Sequence, residues 1–171
     1  MFNGLRRPLV FTNGVFDLLH QGHITCLTHA RRLGASLIVA VNGDASVRRL
    51  GKGPERPIEC EDVRASAVAA LPVVSAVVLF DENTPLTLIR ALRPDIYVKG
   101  GDYQVSDLPE AQVVAQWGGQ TIIIPRVPGW STTLLLEQRK RQLNALSSYL
   151  PTPSLAIQAM PEVSFLVQRA L

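Results

Sequence analysis

The sequence predicts an α/β fold built on a mainly parallel, five-stranded sheet with helices on both faces. Three observations predict it. Short apolar runs recur along the chain, most are followed by a stretch with helical spacing, and the unusual polar residues fall just after the runs end. Strands separated by helices imply right-handed crossovers and parallel neighbours.

Taken in order, Leu9–Thr12 after Pro8 reads as the first strand and Ile24–Gly34 as a helix. Ile24, Leu27 and Ala30 mark the inner face of that helix, and Gly34 suits its C-cap. Ser36–Asn42 is a second strand, apolar throughout as a sheet covered on both faces requires. Glu61–Leu71 is helical and Ser75–Phe80 a third strand. Thr84 and Pro85 suit the N-cap and first turn of a helix running to Leu92. Asp95–Gly100 is the fourth strand, Pro109–Trp117 a helix, Gln120–Pro125 the fifth strand and Ser131–Leu146 a last helix. Residues 1–144 are read as one domain. Residues 145–171 carry three prolines and clustered apolar residues and read as an appendage that packs on the domain or on a partner chain. Val163–Leu171 has the spacing of a further helix.

Composition narrows the function classes. At 171 residues, 47% hydrophobic and 18% charged, the chain can bury a core and is not disordered. The net charge of +3 favours anionic ligands, but only three of 17 basic residues are lysines, so no lysine-rich nucleic-acid tail is present. Nor is there a recognition helix or an aromatic–basic platform. Cys26 and Cys60 form neither a disulfide framework nor a zinc spacing and read as thiols in a reducing compartment. The first apolar stretch is interrupted by Asn13, Asp17 and His20, unlike a secretory leader. No run reaches the roughly 20 apolar residues that cross a bilayer. The expected location is cytoplasmic, with no membrane partner.

The chemistry concentrates at the strand ends, where open α/β sheets bind ligands. Strand one ends in Asn13-Gly14 and leads to Asp17, His20 and His23, two of only three histidines. Strand two ends in Asn42-Gly43-Asp44, strand four in Lys99-Gly100-Gly101-Asp102-Tyr103. After strand five come Gly129-Trp130-Ser131-Thr132-Thr133. Gly22 between the two histidines allows close backbone approach, and a helix N-terminus there favours anions. Two imidazoles aimed at one phosphate can stabilise the charge that grows during phosphoryl or nucleotidyl transfer. Lys99 before two glycines can reach a phosphate, and hydroxyls at 131–133 can hold one at a helix start. The basic loop Arg48–Ile58 can close over a polyphosphate, and Arg64 on the next helix can point back to it. His29 lies on the helix itself and is read as structural. A metal site from His23, Cys26 and His29 is rejected, so no metal ligand is assigned.

Asn13-Gly14-Val15-Phe16-Asp17 with His20-Gln21-Gly22-His23 resembles the HxGH signature of the nucleotidyltransferase superfamily. "VNGDASVRRL", "FDENTP", "LRPDIYVKGGDY", "WGGQTIIIP" and "GWSTT" extend the resemblance, across Leu9 to Arg139, to heptose 1-phosphate nucleotidyltransferases. The resemblance implies a Rossmann-like nucleotidyltransferase fold and transfer of a nucleoside monophosphate, AMP from ATP, to a heptose 1-phosphate for lipopolysaccharide core. It implies catalytic roles for His20, His23, Lys52 and Arg64. Asn13, Gly14, Phe16, Asp17, Gly22, Lys99, Asp102, Ser131, Thr132 and Thr133 would bind the nucleotide. Asn42, Asp44, Gly101 and Tyr103 would bind the sugar substrate. Mg²⁺ would accompany ATP, the enzyme would be a homodimer, and a separate kinase would supply the heptose phosphate. The chain departs from the family pattern at Gly43, where serine is expected, at Trp130, and in a loop around Lys52 one residue longer than usual. Two other readings share these residues: a GTP- or CTP-dependent enzyme for a sugar or polyol phosphate, and a non-catalytic nucleotide-sensing module.

Overall fold

In the computed structural model, which describes residues 4–51 and 53–149, the five apolar runs form one parallel sheet. In chain order the elements are β1 (Leu9–Gly14), α1 (Gln21–Arg32), β2 (Ser36–Asn42), α2 (Asp44–Arg49) and α3 (Glu61–Ala69). They continue with β3 (Ala76–Phe80), α4 (Leu86–Leu92), β4 (Ile96–Gly100), α5 (Pro109–Ala115), β5 (Gln120–Ile124) and α6 (Thr132–Tyr149). The chain divides into two compact units, Met1–Leu136 and Glu137–Leu171, with the boundary inside α6. The helix read over Val163–Leu171 lies outside the described residues. Among the described residues no helix is long and apolar enough to cross a membrane.

Strand order is β3-β2-β1-β4-β5. The chain steps from β1 to β2 and β3 on one side, then returns to lay β4 and β5 on the other. β1 is therefore paired on both edges, Phe11 opposite Ile38 of β2 and Tyr97 of β4. A crevice opens at such a reversal, beyond the carboxyl ends of β1 and β4.

The strands alternate their side chains between two cores. Leu9, Phe11, Ile38, Ala40 and Tyr97 face one way, against Ile89 of α4 and Val114 of α5. Val10, Leu37, Val39, Val41 and Val98 face the other, against Leu27 and Ala30 of α1 and Val68 of α3. Each buried valine, leucine, isoleucine or phenylalanine among them contributes about 1.5–3 kcal/mol of transfer free energy. Helices thus cover both faces, as the uninterrupted apolar character of β2 requires.

The elements differ from expectation mainly at their ends. α1 begins at Gln21, three residues early, because His20 caps it. α3 stops at Ala69. Pro85 rather than Thr84 is the N-cap of α4. α2 is six residues long and too short to announce itself by periodicity. Gly34 is not a C-cap; Leu33 is, with its N–H donating to Ala30 O. Gly34 serves a close approach instead: a Cβ there would overlap the carbonyl of Pro8 and come within 2.7 Å of Val10 Cγ2. Gly34→Ala is therefore expected to lower stability by about 1–3 kcal/mol through overpacking. Urea denaturation measures it, and an unchanged midpoint would contradict this packing.

Candidate active site

The segment from Gly14 to His20 joins β1 to α1 and has to be held in shape. Phe16 and Leu18 lie in the left-handed region, φ 53° and 56°, a conformation that costs non-glycine residues on the order of 1–2 kcal/mol each. Three remote groups fix it. Arg64 Nη1 donates to Val15 O at 2.6 Å. Thr132 Oγ1 donates to Asp17 O at 2.7 Å. The Asp17 carboxylate accepts from Ile58 N and Glu59 N, both at 3.0 Å, and from Arg56 Nη1 at 2.7 Å. Burial would raise the Asp17 pKa, but those N–H donors and the guanidinium outweigh it and hold the carboxyl below its ordinary value. At Gly14 a Cβ would sit 3.1 Å from the Phe16 ring, so the glycine lets that ring fold back. Phe16 then meets His23 edge-on at 5.2 Å.

The histidine pair is built on the start of α1. The Nδ1 of His20 accepts from His23 N–H at 3.4 Å, a capping contact, which leaves Nε2 to carry the proton. Burial lowers the His20 pKa, with its own backbone opposing, so the ring is neutral at physiological pH. The His20 and His23 rings stack at 3.8 Å and 16°. The Trp130 ring lies 6.4 Å beyond His20 at 26°. Gly22 makes this possible: a Cβ there would stand 3.0 Å from His20 Cε1 and 3.1 Å from Trp130 Cβ.

These rings open into a cleft of about 690 Å³ beyond the carboxyl ends of β1 and β4. Of the residues expected at the site, Asn13, Gly14, Phe16, Asp17, His20, Gly22 and His23 line it from the first loop. Asn42, Lys99, Gly101, Tyr103, Ser131, Thr132 and Thr133 line it from the others. Asn13 Oδ1 accepts from Tyr97 Oη at 3.0 Å and from Lys99 Nζ at 3.3 Å, leaving its amide N–H₂ as the group to offer a ligand. Burial, with Glu110 and Tyr103 adding to it, pushes the Tyr97 pKa far up, so that phenol remains a donor. Ser131 Oγ accepts from Leu134 N–H at 3.2 Å and caps α6.

Other expected residues stand apart from the cleft. Arg64, for which the family resemblance implies a catalytic role at the phosphates, has a side chain that is 0% exposed and outside the cleft. Its guanidinium holds Val15 O, Glu59 O and Asp44 Oδ1 at 2.6–2.9 Å. Asp44, tied to Arg64, and Asp102, whose side chain is 80% exposed beside Arg126, also lie outside the lining. Lys52 lies outside the described residues. Gly43, where serine was expected, has the Asp81 carboxylate in the place a Cβ would occupy. Sequence reasoning missed Arg56, Arg126 and Glu110, all of which line the cleft. The two arginines stand in proline-containing loops where periodicity carries no signal, and Glu110 lies in the first turn of α5, where an acid is common for the helix dipole alone.

The lining is thus rich in donors: the imidazoles, Lys99, Arg56, Arg126 and the start of α6, with Asp17 already satisfied. Such a surface fits a polyanion. Among the described residues no group of three His, Cys, Asp or Glu side chains could hold a metal ion.

The sequence profile described as cytidylyltransferase-like matches residues 11–150. The chain belongs to this cytidylyltransferase-like family. Within it, the chain is 58% identical over 132 residues to the D-beta-D-heptose 1-phosphate adenylyltransferase of Bordetella bronchiseptica, covering 77% of this chain and 82% of that protein. It is 56% identical over 130 residues to the bifunctional protein HldE of Koribacter versatilis, covering 76% of this chain and 26% of the other, about a quarter of its length. The crystal structure of the lipopolysaccharide core biosynthesis protein of Thermoplasma volcanium superposes with a TM-score of 0.59 at 30% identity, over 70% of this chain and 95% of that one.

Two outcomes follow from the family's histidine pair as built here. Gly22→Ala displaces His20 or Trp130, and a misplacement near 1 Å is expected to lower turnover by about 10² while thermal unfolding changes little. Near-normal turnover would show that the pair tolerates a Cβ. The second concerns pH. His20 has a folded pKa below its unfolded 6.5, so the unfolded chain takes up the proton first as pH falls. Its contribution to stability is complete above that pH and lost below it. His20→Asn keeps a capping acceptor without the titration, so its urea midpoint should fall less than the parent's below pH 6.5. Parallel curves would contradict the buried neutral ring.

Proposed function

We propose that the chain transfers AMP from ATP to D-β-D-heptose 1-phosphate and releases pyrophosphate. The stacked His20–His23 pair lining a donor-rich cleft carries the reaction type. The 58% identity with the Bordetella adenylyltransferase carries the substrate.

A phosphate oxygen of the sugar phosphate attacks the α-phosphorus of ATP in line. The new P–O bond forms as the bond from that phosphorus to the bridging oxygen breaks, and the electron pair leaves with pyrophosphate. A phosphate monoester has its second pKa near 6 and is already an anion at neutral pH, so no general base is required. Positioning and charge stabilisation supply the rate. The Nε2–H of His20 and the ring of His23 face the reacting phosphate. Lys99 and the start of α6 hold its neighbours. Mg²⁺, if it accompanies ATP, would be held chiefly by the triphosphate oxygens and would neutralise their charge, since no group of three His, Cys, Asp or Glu side chains among the described residues could hold it. The same reading includes a homodimer and a reducing, cytoplasmic setting in which the exposed Cys60 stays a thiol. It also includes a kinase, provided by none of these 171 residues, that makes the heptose phosphate.

Pyrophosphate release tests the reading, with both anomers of heptose 1-phosphate crossed against ATP, CTP and GTP. Turnover with ATP and the β-anomer is expected, and His20→Ala or His23→Ala should each lower kcat by about 10²–10³. Preference for CTP or GTP, or near-normal turnover in both histidine variants, would contradict it.

A further inference from the structure

We propose that Arg56 is an arginine that meets the polyphosphate in a fixed orientation, and that Asp17 is its orienting partner rather than a nucleotide contact. The inference rests on the reading of the cleft as a nucleoside triphosphate site.

Arg56 lies in the segment between α2 and α3, with its side chain 14% exposed and lining the cleft. Its Nη1 donates to Asp17 Oδ2 at 2.7 Å, and the described residues give the guanidinium no other partner. A guanidinium carries five N–H donors in a rigid planar fork that matches phosphate oxygens. One nitrogen is therefore engaged, and the remaining N–H groups of a fork that lines the cleft have no partner among the described residues.

The fixing is thorough. Asp17 is 3% exposed, and its carboxylate also holds the N–H groups of Ile58 and Glu59, two and three residues further on. Arg56 is thus held by its side chain and by the backbone just after it. A charge oriented before the ligand arrives loses less freedom on binding. Arg64 is the contrasting case: carbonyls and a carboxylate occupy its fork, and no part of the side chain is exposed. Asp17 also lines the cleft, but its carboxylate is already engaged by Arg56, Ile58 and Glu59.

Calorimetric titration with inorganic tripolyphosphate, and separately with adenosine, tests this in the full chain. Arg56→Ala, and Arg56→Gln with its amide donor for Asp17, should bind tripolyphosphate roughly ten- to a hundredfold more weakly, the weight of a lost charge-assisted contact. Adenosine should bind all variants alike. Arg56→Lys should recover much of the loss, and Asp17→Asn, which keeps the arginine but loosens its hold, should fall between. Two results would overturn the inference: tripolyphosphate affinity within about twofold of the parent in both Arg56→Ala and Arg56→Gln, or equal loss of adenosine and tripolyphosphate binding, with a lowered melting temperature, in all three Arg56 variants. A parent chain that binds tripolyphosphate through Arg56 yet turns over no sugar phosphate would sink the proposed function and leave this inference standing.

Discussion

The buried carboxylate of Asp17 is the interaction on which the site depends. An ionised carboxylate removed from water costs several kcal/mol unless its oxygens are filled. Here two backbone N–H groups and one guanidinium fill them. Each of those donors comes from the segment before α3, so satisfying one side chain fixes a stretch of chain some forty residues away. The backbone carbonyl of the same residue takes the hydroxyl of Thr132, which draws the start of α6 to the same point. The strained conformations of Phe16 and Leu18 persist because these contacts over-determine them. The direction of the pKa shift sets the sign of the linkage. The folded pKa is below 3.8, so this stabilisation is present above that pH and lost as the carboxyl protonates beneath it.

The loop held in this way delivers its chemistry at the sheet's reversal point. His20 ends the loop, caps α1 and stacks on His23, so one short stretch of backbone places two rings, a helix N-terminus and Gly22 together. With His20 Nδ1 taken up by the cap and the proton on Nε2, the ring offers a donor and no free basic nitrogen, and the chemistry asks for no base. From the neighbouring strand β4 comes Lys99, whose ammonium shares Asn13 Oδ1 with the Tyr97 phenol. The parallel pairing of β1 with β4 sets that juxtaposition. Fold and reaction are connected at this pairing: the strand order brings together two strand ends that the sequence keeps some 85 residues apart.

What the sequence disclosed follows from physical scale. Runs such as Ser36–Asn42 report burial on both faces, so the parallel sheet and its helices were legible. The His20–Gly22–His23 pattern was legible because few structural needs place two histidines about a glycine. Arg64 shows the limit. On the sequence it is a basic residue behind a basic loop, and only tertiary packing reveals that backbone carbonyls have claimed it. Arg56 is the converse, an unremarkable loop arginine until Asp17 is seen beside it. Gly34 looked like a helix terminator, and its reason lies in Pro8, which no local pattern reaches. Residues whose placement the sequence did not convey act through partners distant in sequence.

The central claim is that the site works by holding two substrates in line and stabilising charge, with no covalent enzyme intermediate. The stereochemical course at the α-phosphorus tests it most directly. With one diastereomer of ATP carrying sulfur at the α-phosphate, and heptose 1-phosphate as acceptor, a single in-line displacement inverts that centre in the product. The account predicts inversion. Retention would mean two successive displacements through a nucleotidylated side chain, and would contradict it.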